Sequence, residues 1–164
     1  MTANQVCVVV ADARVARFYG VEAADTPRYR VKLVERLSLA NPDVGAARKG
    51  GAGRVKTERV SNRQAGDAHP IDARRQQHRL EIERRFGREI ARQIEQIARN
   101  WTDATIVLVA DPRLLGQMRE PLRKALDLGI ELKELAKDYT HLTPSELRDR
   151  LGLNSLVQTG GGTP

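Results

Sequence analysis

The sequence predicts an α/β domain with a mixed five-stranded sheet and helices on both faces, in the order β-β-β-α-β-α-β-α. Three observations carry this expectation. Gln5–Ala11 (QVCVVVA) and Thr105–Ala110 (TIVLVA) are short, continuous and largely β-branched, the pattern of central strands buried on both faces. Ile82, Phe86, Ile90, Ile94, Ile97 and Trp101 recur at spacings of 4, 4, 4, 3 and 4, which is one face of a long amphipathic helix. The length, 164 residues, suits one core and would cramp two.

The elements follow in order. After the first strand, Asp12-Ala13-Arg14 is a polar break short enough for a hairpin, and Val15–Val21 (VARFYGV) reads as the second strand. Tyr29–Leu39 alternates, with Tyr29, Val31, Leu33 and Leu37 on one side and Arg30, Lys32 and Arg36 interleaved, so a third strand with one wet face is expected. From Ala40 to Pro70 the pattern stops. Five glycines and two prolines there leave Val44, Val55 and Val60 as the large aliphatics, which predicts a long loop. Asp72–Trp101 is the long helix, and Arg75, Arg79, Arg84, Arg85, Arg88 and Arg92 are expected to fall off its stripe and face outward. Asp111-Pro112 starts the next helix, with Asp as N-cap and Pro at its first position. Pro121 predicts a kink or two short helices across Pro112–Leu128, closed by Gly129. Glu131–Lys137 reads as the fifth strand. Thr143-Pro144-Ser145-Glu146 is a capping box opening a helix that Gly152 ends near Leu151. Residues 1–153 therefore form the expected domain, and 154–164, with three consecutive glycines, a flexible tail. Three strands on short turns, then strands alternating with helices, give the order of a ribonuclease-H-like sheet.

Composition narrows the function. The longest apolar run, Val6 to Ala11, is far short of a bilayer span of roughly 20 residues. Met1–Gln5 lacks the basic start and apolar stretch of a secretory signal. The single Cys7 lies in a strand and reads as a buried thiol, so a cytoplasmic protein is expected, with no disulfide and no membrane partner. The net charge of +7 is concentrated. Arg48–Arg92 holds 13 basic and six acidic residues, leaving 15 of each sign elsewhere, and 11 of the 13 are arginine. The planar guanidinium fork suits phosphate, so the excess points to a polyanion, with nucleic acid the usual one. The bland alternative is a solvated helix face, since Glu81, Glu83 and Glu89 lie among these arginines.

The best candidate site joins the loop to the start of the long helix. Gly50, Gly51 and Gly53 would let phosphate oxygens approach free backbone N–H groups, with Arg48, Lys49, Arg54, Lys56, Arg59 and Arg63 supplying charge. Arg74, Arg75 and Arg79 would continue the patch along the helix, whose N-terminus favours anions. The loop has no Gly-Lys-Ser/Thr and is not a P-loop. Asp12, Asp111 and Asp138 each follow a strand and could converge on two metal ions for phosphodiester cleavage. Turn and cap roles explain Asp12 and Asp111 more simply, and Asp138 reads as solvated near a loop. His69, His78 and His141 lack metal-ligand spacing, and His141 reads as tying down a loop rather than as an acid–base group. No cofactor, metal or catalytic residue is expected.

Three blocks add a resemblance. Val8–Tyr19 (VVVADARVARFY), Ala110–Arg119 (ADPRLLGQMR) and Lys137–Leu151 (KDYTHLTPSELRDRL) resemble, in order and spacing, the bacterial host attachment protein family. That family in turn looks like the middle domain of the eukaryotic and archaeal peptide release factors and of the ribosome-rescue factor Pelota. The resemblance implies a glycine-rich loop that reaches the peptidyl transferase centre, where release factors carry Gly-Gly-Gln. Here the loop reads Lys49-Gly50-Gly51-Ala52-Gly53-Arg54, with Ala52 where the glutamine would stand, and Gln64-Ala65-Gly66 does not restore the motif. The resemblance thus implies the ribosome as partner, through ribosomal RNA or tRNA, without peptide release. The expectation is a non-catalytic, ribosome-associated RNA-binding factor. A host-attachment protein with no RNA role and a metal-dependent nuclease are the alternatives.

Overall fold

The computed structural model describes residues 5–27, 29–44, 69–127 and 129–153. Among the described residues, five strands form one sheet: β1 (Gln5–Ala11), β2 (Val15–Ala23), β3 (Val31–Ala40), β4 (Ala104–Ala110) and β5 (Ile130–Ala136). Three helices longer than a single turn accompany it among the described residues: α1 (His69–Ala98), α2 (Pro112–Ala125) and α3 (Pro144–Leu151). The strand order is β3-β2-β1-β4-β5. The two hairpin pairings are antiparallel, and β1–β4 and β4–β5 are parallel. The mixed α/β class and the element order agree with the sequence.

The two central strands explain the layering. Cys7, Val9 and Ala11 of β1 and Ile106, Leu108 and Ala110 of β4 point to one face, where they meet Phe86, Ile90 and Ile94 of α1 and Leu114, Met118 and Leu122 of α2. Val8, Val10, Val107 and Val109 point to the other face, onto Leu142, Leu147 and Leu153 around α3. Burial on both sides is why these runs lack polar alternation.

Caps fix the helix ends. Asp111 accepts from Leu114 N at 3.0 Å, with Pro112 opening α2. Thr143 and Glu146 form the reciprocal capping box of α3, at 3.2 and 3.0 Å. Gly152 ends α3 in the left-handed region at φ 62°, a conformation that costs glycine little.

The structure corrects several expectations. Leu37 does not share a face with Val31 and Leu33. Phe18 pairs with Leu37 but Tyr19 with Glu35, so Arg36 is an extra residue in a bulge. Because strand side chains alternate, that residue sends Leu37 and Leu39 to the α1–α2 face, while Val31 and Leu33 stay on the α3 face. Pro121 does not break α2, which runs unbroken through it. Leu114, Leu115, Met118 and Leu122 are buried on both sides of the proline and hold the helix to the sheet. Gly129 does not close α2, whose C-cap is Leu126. A Cβ on Gly129 would lie 2.2 Å from the Thr102 carbonyl oxygen, so glycine is needed for that close approach.

The long helix starts and ends three residues before its expected bounds. The expected 40–70 loop is shorter at both ends. Ala40 belongs to β3, Asn41 is buried with its amide donating to Ala13 O at 2.9 Å, residues 42–44 form a helical turn, and His69 opens α1. The rest of that loop and the tail 154–164 lie outside the described residues.

Candidate nucleic-acid interface

Of the expected contact residues, Arg48, Lys49, Gly50, Gly51, Gly53, Arg54, Lys56, Arg59 and Arg63 lie outside the described residues. Arg74, Arg75 and Arg79 are on α1. No residue from 72 to 82 is buried, and burial begins only at Glu83. Arg79 precedes Phe86 by seven residues and Arg75 precedes Ile82 by seven, so both continue the phase of the buried stripe. This differs from the outward-facing expectation, which fits Arg84, Arg85, Arg88 and Arg92. Arg79 is nonetheless exposed and Arg75 half-exposed, because burial of the stripe has not begun at that level. Residues 72–79 thus form about 12 Å of helix with no buried face. Arg74 lies about 100° from Arg75 around the axis and Arg79 about 40° further on, so the three cations span about 140° of the circumference.

Ion pairs divide the remaining arginines. Glu81 lies 3.3 Å from Arg84 and 3.7 Å from Arg85, and Arg85 also reaches Asp43 at 3.9 Å. Arg92 pairs with Glu89 at 3.6 Å. Among the described residues, no carboxylate lies within ion-pair distance of Arg74, Arg75, Arg79 or Arg88. Glu83, 9% exposed, interrupts the apolar stripe and meets Arg113 of α2 at 3.7 Å. The excess positive charge of α1 therefore lies chiefly at its N-terminal end, where the helix dipole adds to it.

The three strand-end carboxylates are engaged locally. Asp111 caps α2. Asp12 accepts from the backbone N–H of Arg14 at 2.7 Å and of Val15 at 2.9 Å, which closes the β1–β2 turn. Thr140 Oγ1 lies 2.7 Å from Asp138 and 3.2 Å from Asp12, so one buried hydroxyl ties the ends of β1 and β5 together. That hydrogen bond, followed by the Thr140 backbone N–H, holds the Asp138 carboxyl below its usual range. Thr140 was not singled out by the sequence, because its two partners are 128 and 2 residues away and carry no shared local pattern. Arg148 is another such residue: it is buried, its guanidinium lies 3.7 Å from the Tyr29 ring centroid, and it donates to Asp149.

His141 and Ser145 are both exposed. Among the described residues, no group of three or more His, Cys, Asp or Glu is placed to hold a metal ion. Cys7 is buried, and desolvation pushes its thiol up to about 12. Among the described residues no helix is long and apolar enough to cross a membrane.

A model of the family described as "protein required for attachment to host cells" matches residues 7–151. The chain belongs to that family. The match runs from β1 to the last residue of α3 and takes in the whole of α1. All three blocks that carried the resemblance fall inside it. A comparison with curated proteins finds no match.

Proposed function

We propose that this chain is a non-catalytic binding protein for structured RNA, acting on the ribosome through Arg74, Arg75 and Arg79 together with the basic glycine-rich segment at Arg48–Arg63. The observation that carries the reading is the N-terminal part of α1, a stretch of helix with no buried face whose arginines have no carboxylate partner among the described residues. A folded domain gains no core packing from such a stretch, whereas a phosphate backbone gives it partners. The resemblance to the release-factor middle domain, read from the sequence alone, directs the proposal to the ribosome. Ala52 in place of the release-factor glutamine, and strand-end aspartates already engaged in turns and caps, support binding without turnover. Sedimentation of a cell lysate at low salt tests the reading. The protein should travel with ribosomes, and the Arg74→Glu, Arg75→Glu, Arg79→Glu triple variant should remain at the top of the gradient while folded. Wild-type protein absent from the ribosomal fractions would overturn the proposal.

The family description favours a second reading, an interaction protein in attachment to host cells. Protease treatment of intact cells separates the two, since an attachment protein at the cell surface is digested and a ribosome-bound one is protected.

A further inference from the structure

We propose that the β5 edge of the sheet is a self-association surface, on which a second copy of this chain pairs antiparallel with β5 in a register centred on Leu132. Among the described residues, β5 pairs only with β4, so one side of its backbone has no strand partner. The opposite edge, β3, is broken by the bulge at Arg36, a common way of blunting an edge. β5 has no such interruption, and it pairs with β4 in unbroken register from Ile130 to Ala136.

The chemistry of the edge is self-complementary in one way. A two-fold axis between antiparallel edges must be normal to the sheet and must centre on a residue, since paired side chains share a face. Centring on Lys133 sets lysine against lysine. Centring on Glu131 or Glu134 sets glutamate against glutamate. Centring on Leu132 sets leucine against leucine and places Glu131 of each copy opposite Lys133 of the other, with Ile130 opposite Glu134. Like charges directly opposite one another destabilise a pair and opposite charges stabilise it. An edge lysine ordinarily discourages pairing; here it sits two residues from Glu131 on the same face, so its charge is matched in that one register.

The face carrying Leu132 adds an apolar contribution. Leu132 is half-buried, and beside it Leu122 of α2, its C-cap Leu126 and Ile130 line a groove of about 310 Å³ along the edge. The two Leu132 side chains would meet at the mouths of the two grooves. Arg119 is held across the same face by Glu134 at 2.8 Å, which leaves the central leucine unobstructed by that guanidinium. The partner that fits is therefore a second copy, and the product is a continuous ten-stranded sheet with the two α1 helices outside the junction.

Sedimentation equilibrium on the full chain, from micromolar to millimolar concentration, tests this. The wild-type protein should show a monomer–dimer equilibrium. Lys133→Glu sets two glutamates opposite one another twice and should raise the dimer dissociation constant roughly ten- to thirtyfold. The double swap Glu131→Lys, Lys133→Glu restores opposite charges in the same register and should bring dimerisation back to within about threefold of wild type. Both positions are on the edge and neither is fully buried, so circular dichroism should be unchanged. A monomer throughout the range, a dimer insensitive to Lys133→Glu, or a double swap as weak as the single would each overturn the proposal. These variants leave the α1 arginines intact, so RNA binding reports on the other proposal independently.

Discussion

The sharpest test of the interface separates arginines that differ in their neighbours, not in their number. Consider one variant with Arg74, Arg75 and Arg79 changed to Gln, and a second with Arg84, Arg85 and Arg92 changed to Gln. Glutamine and arginine have similar helix propensities, and substitutions at exposed positions seldom shift stability by more than about 0.5 kcal/mol, so both should fold. The first set has no carboxylate partner among the described residues. In the second, Glu81 and Glu89 sit at 3.3–3.7 Å from the guanidinium groups. Such exposed pairs hold together weakly, by about 0.2–1 kcal/mol, so an arginine can leave its glutamate for a phosphate. The carboxylate charge stays beside that phosphate, however, and the net counterion release is small. Each neutralised phosphate contributes about 0.7–0.9 to the slope of log affinity against log salt. The first variant should therefore bind a fluorescent RNA hairpin with a slope shallower by about 2–3, and the second with a slope changed by less than about 1. Anisotropy titrations across a salt series measure both. Equal changes in the two variants, or the larger change in the second, would refute the assignment of binding to the end of α1.

Two further predictions concern the scaffold. Thr140→Val removes the hydroxyl shared by Asp12 and Asp138 and should cost about 1–2 kcal/mol at neutral pH in urea denaturation. Because Asp138 has a lowered carboxyl in the folded state, its stabilisation is present above the unfolded carboxylate range and lost as pH falls through the folded one, so the gap between wild type and variant should narrow below about pH 4; a gap independent of pH would contradict this. Gly129→Ala places a Cβ against the Thr102 carbonyl oxygen, and the backbone shift required should lower stability by roughly 2 kcal/mol or more, read as a fall in Tm. An unchanged Tm would show that the approach of the two segments is easily relaxed.

What could be read from sequence, and what could not, divides by range. The central strands, the Asp111 cap and the Thr143–Glu146 box are visible because their causes lie within a few residues: two-sided burial in one run, a side chain reaching an N–H three positions on. The bulge at Arg36 is invisible, since a single extra residue in β3 is defined only against its partner β2. A glycine after a helix usually marks its end, which is what the local sequence around Gly129 suggests; the reason for this glycine lies in the Thr102 carbonyl oxygen. Pro121, with a local cost of about 3 kcal/mol, predicts a kink or two short helices, yet α2 is one helix through it, with buried leucines on both sides.

The interface is an intermediate case, and it shows what signal was available. Charge alone could not rank the arginines of α1, because pairing with Glu81 and Glu89 depends on side-chain geometry. The start of the apolar stripe carries the missing information. That stripe begins at Ile82, whereas α1 begins at His69, 13 residues earlier. Isolated helices shorter than about 12–15 residues are marginal in water, so the upstream turns depend on propagation from the packed part. Yet their polar positions in phase with the stripe are Asp72, Arg75, Gln76 and Arg79, two of them arginine, where a helix lying on a sheet would carry leucine or isoleucine. A stretch that contributes no burial to this fold and presents arginine where apolar residues would otherwise stand is built to meet a negatively charged surface outside the domain.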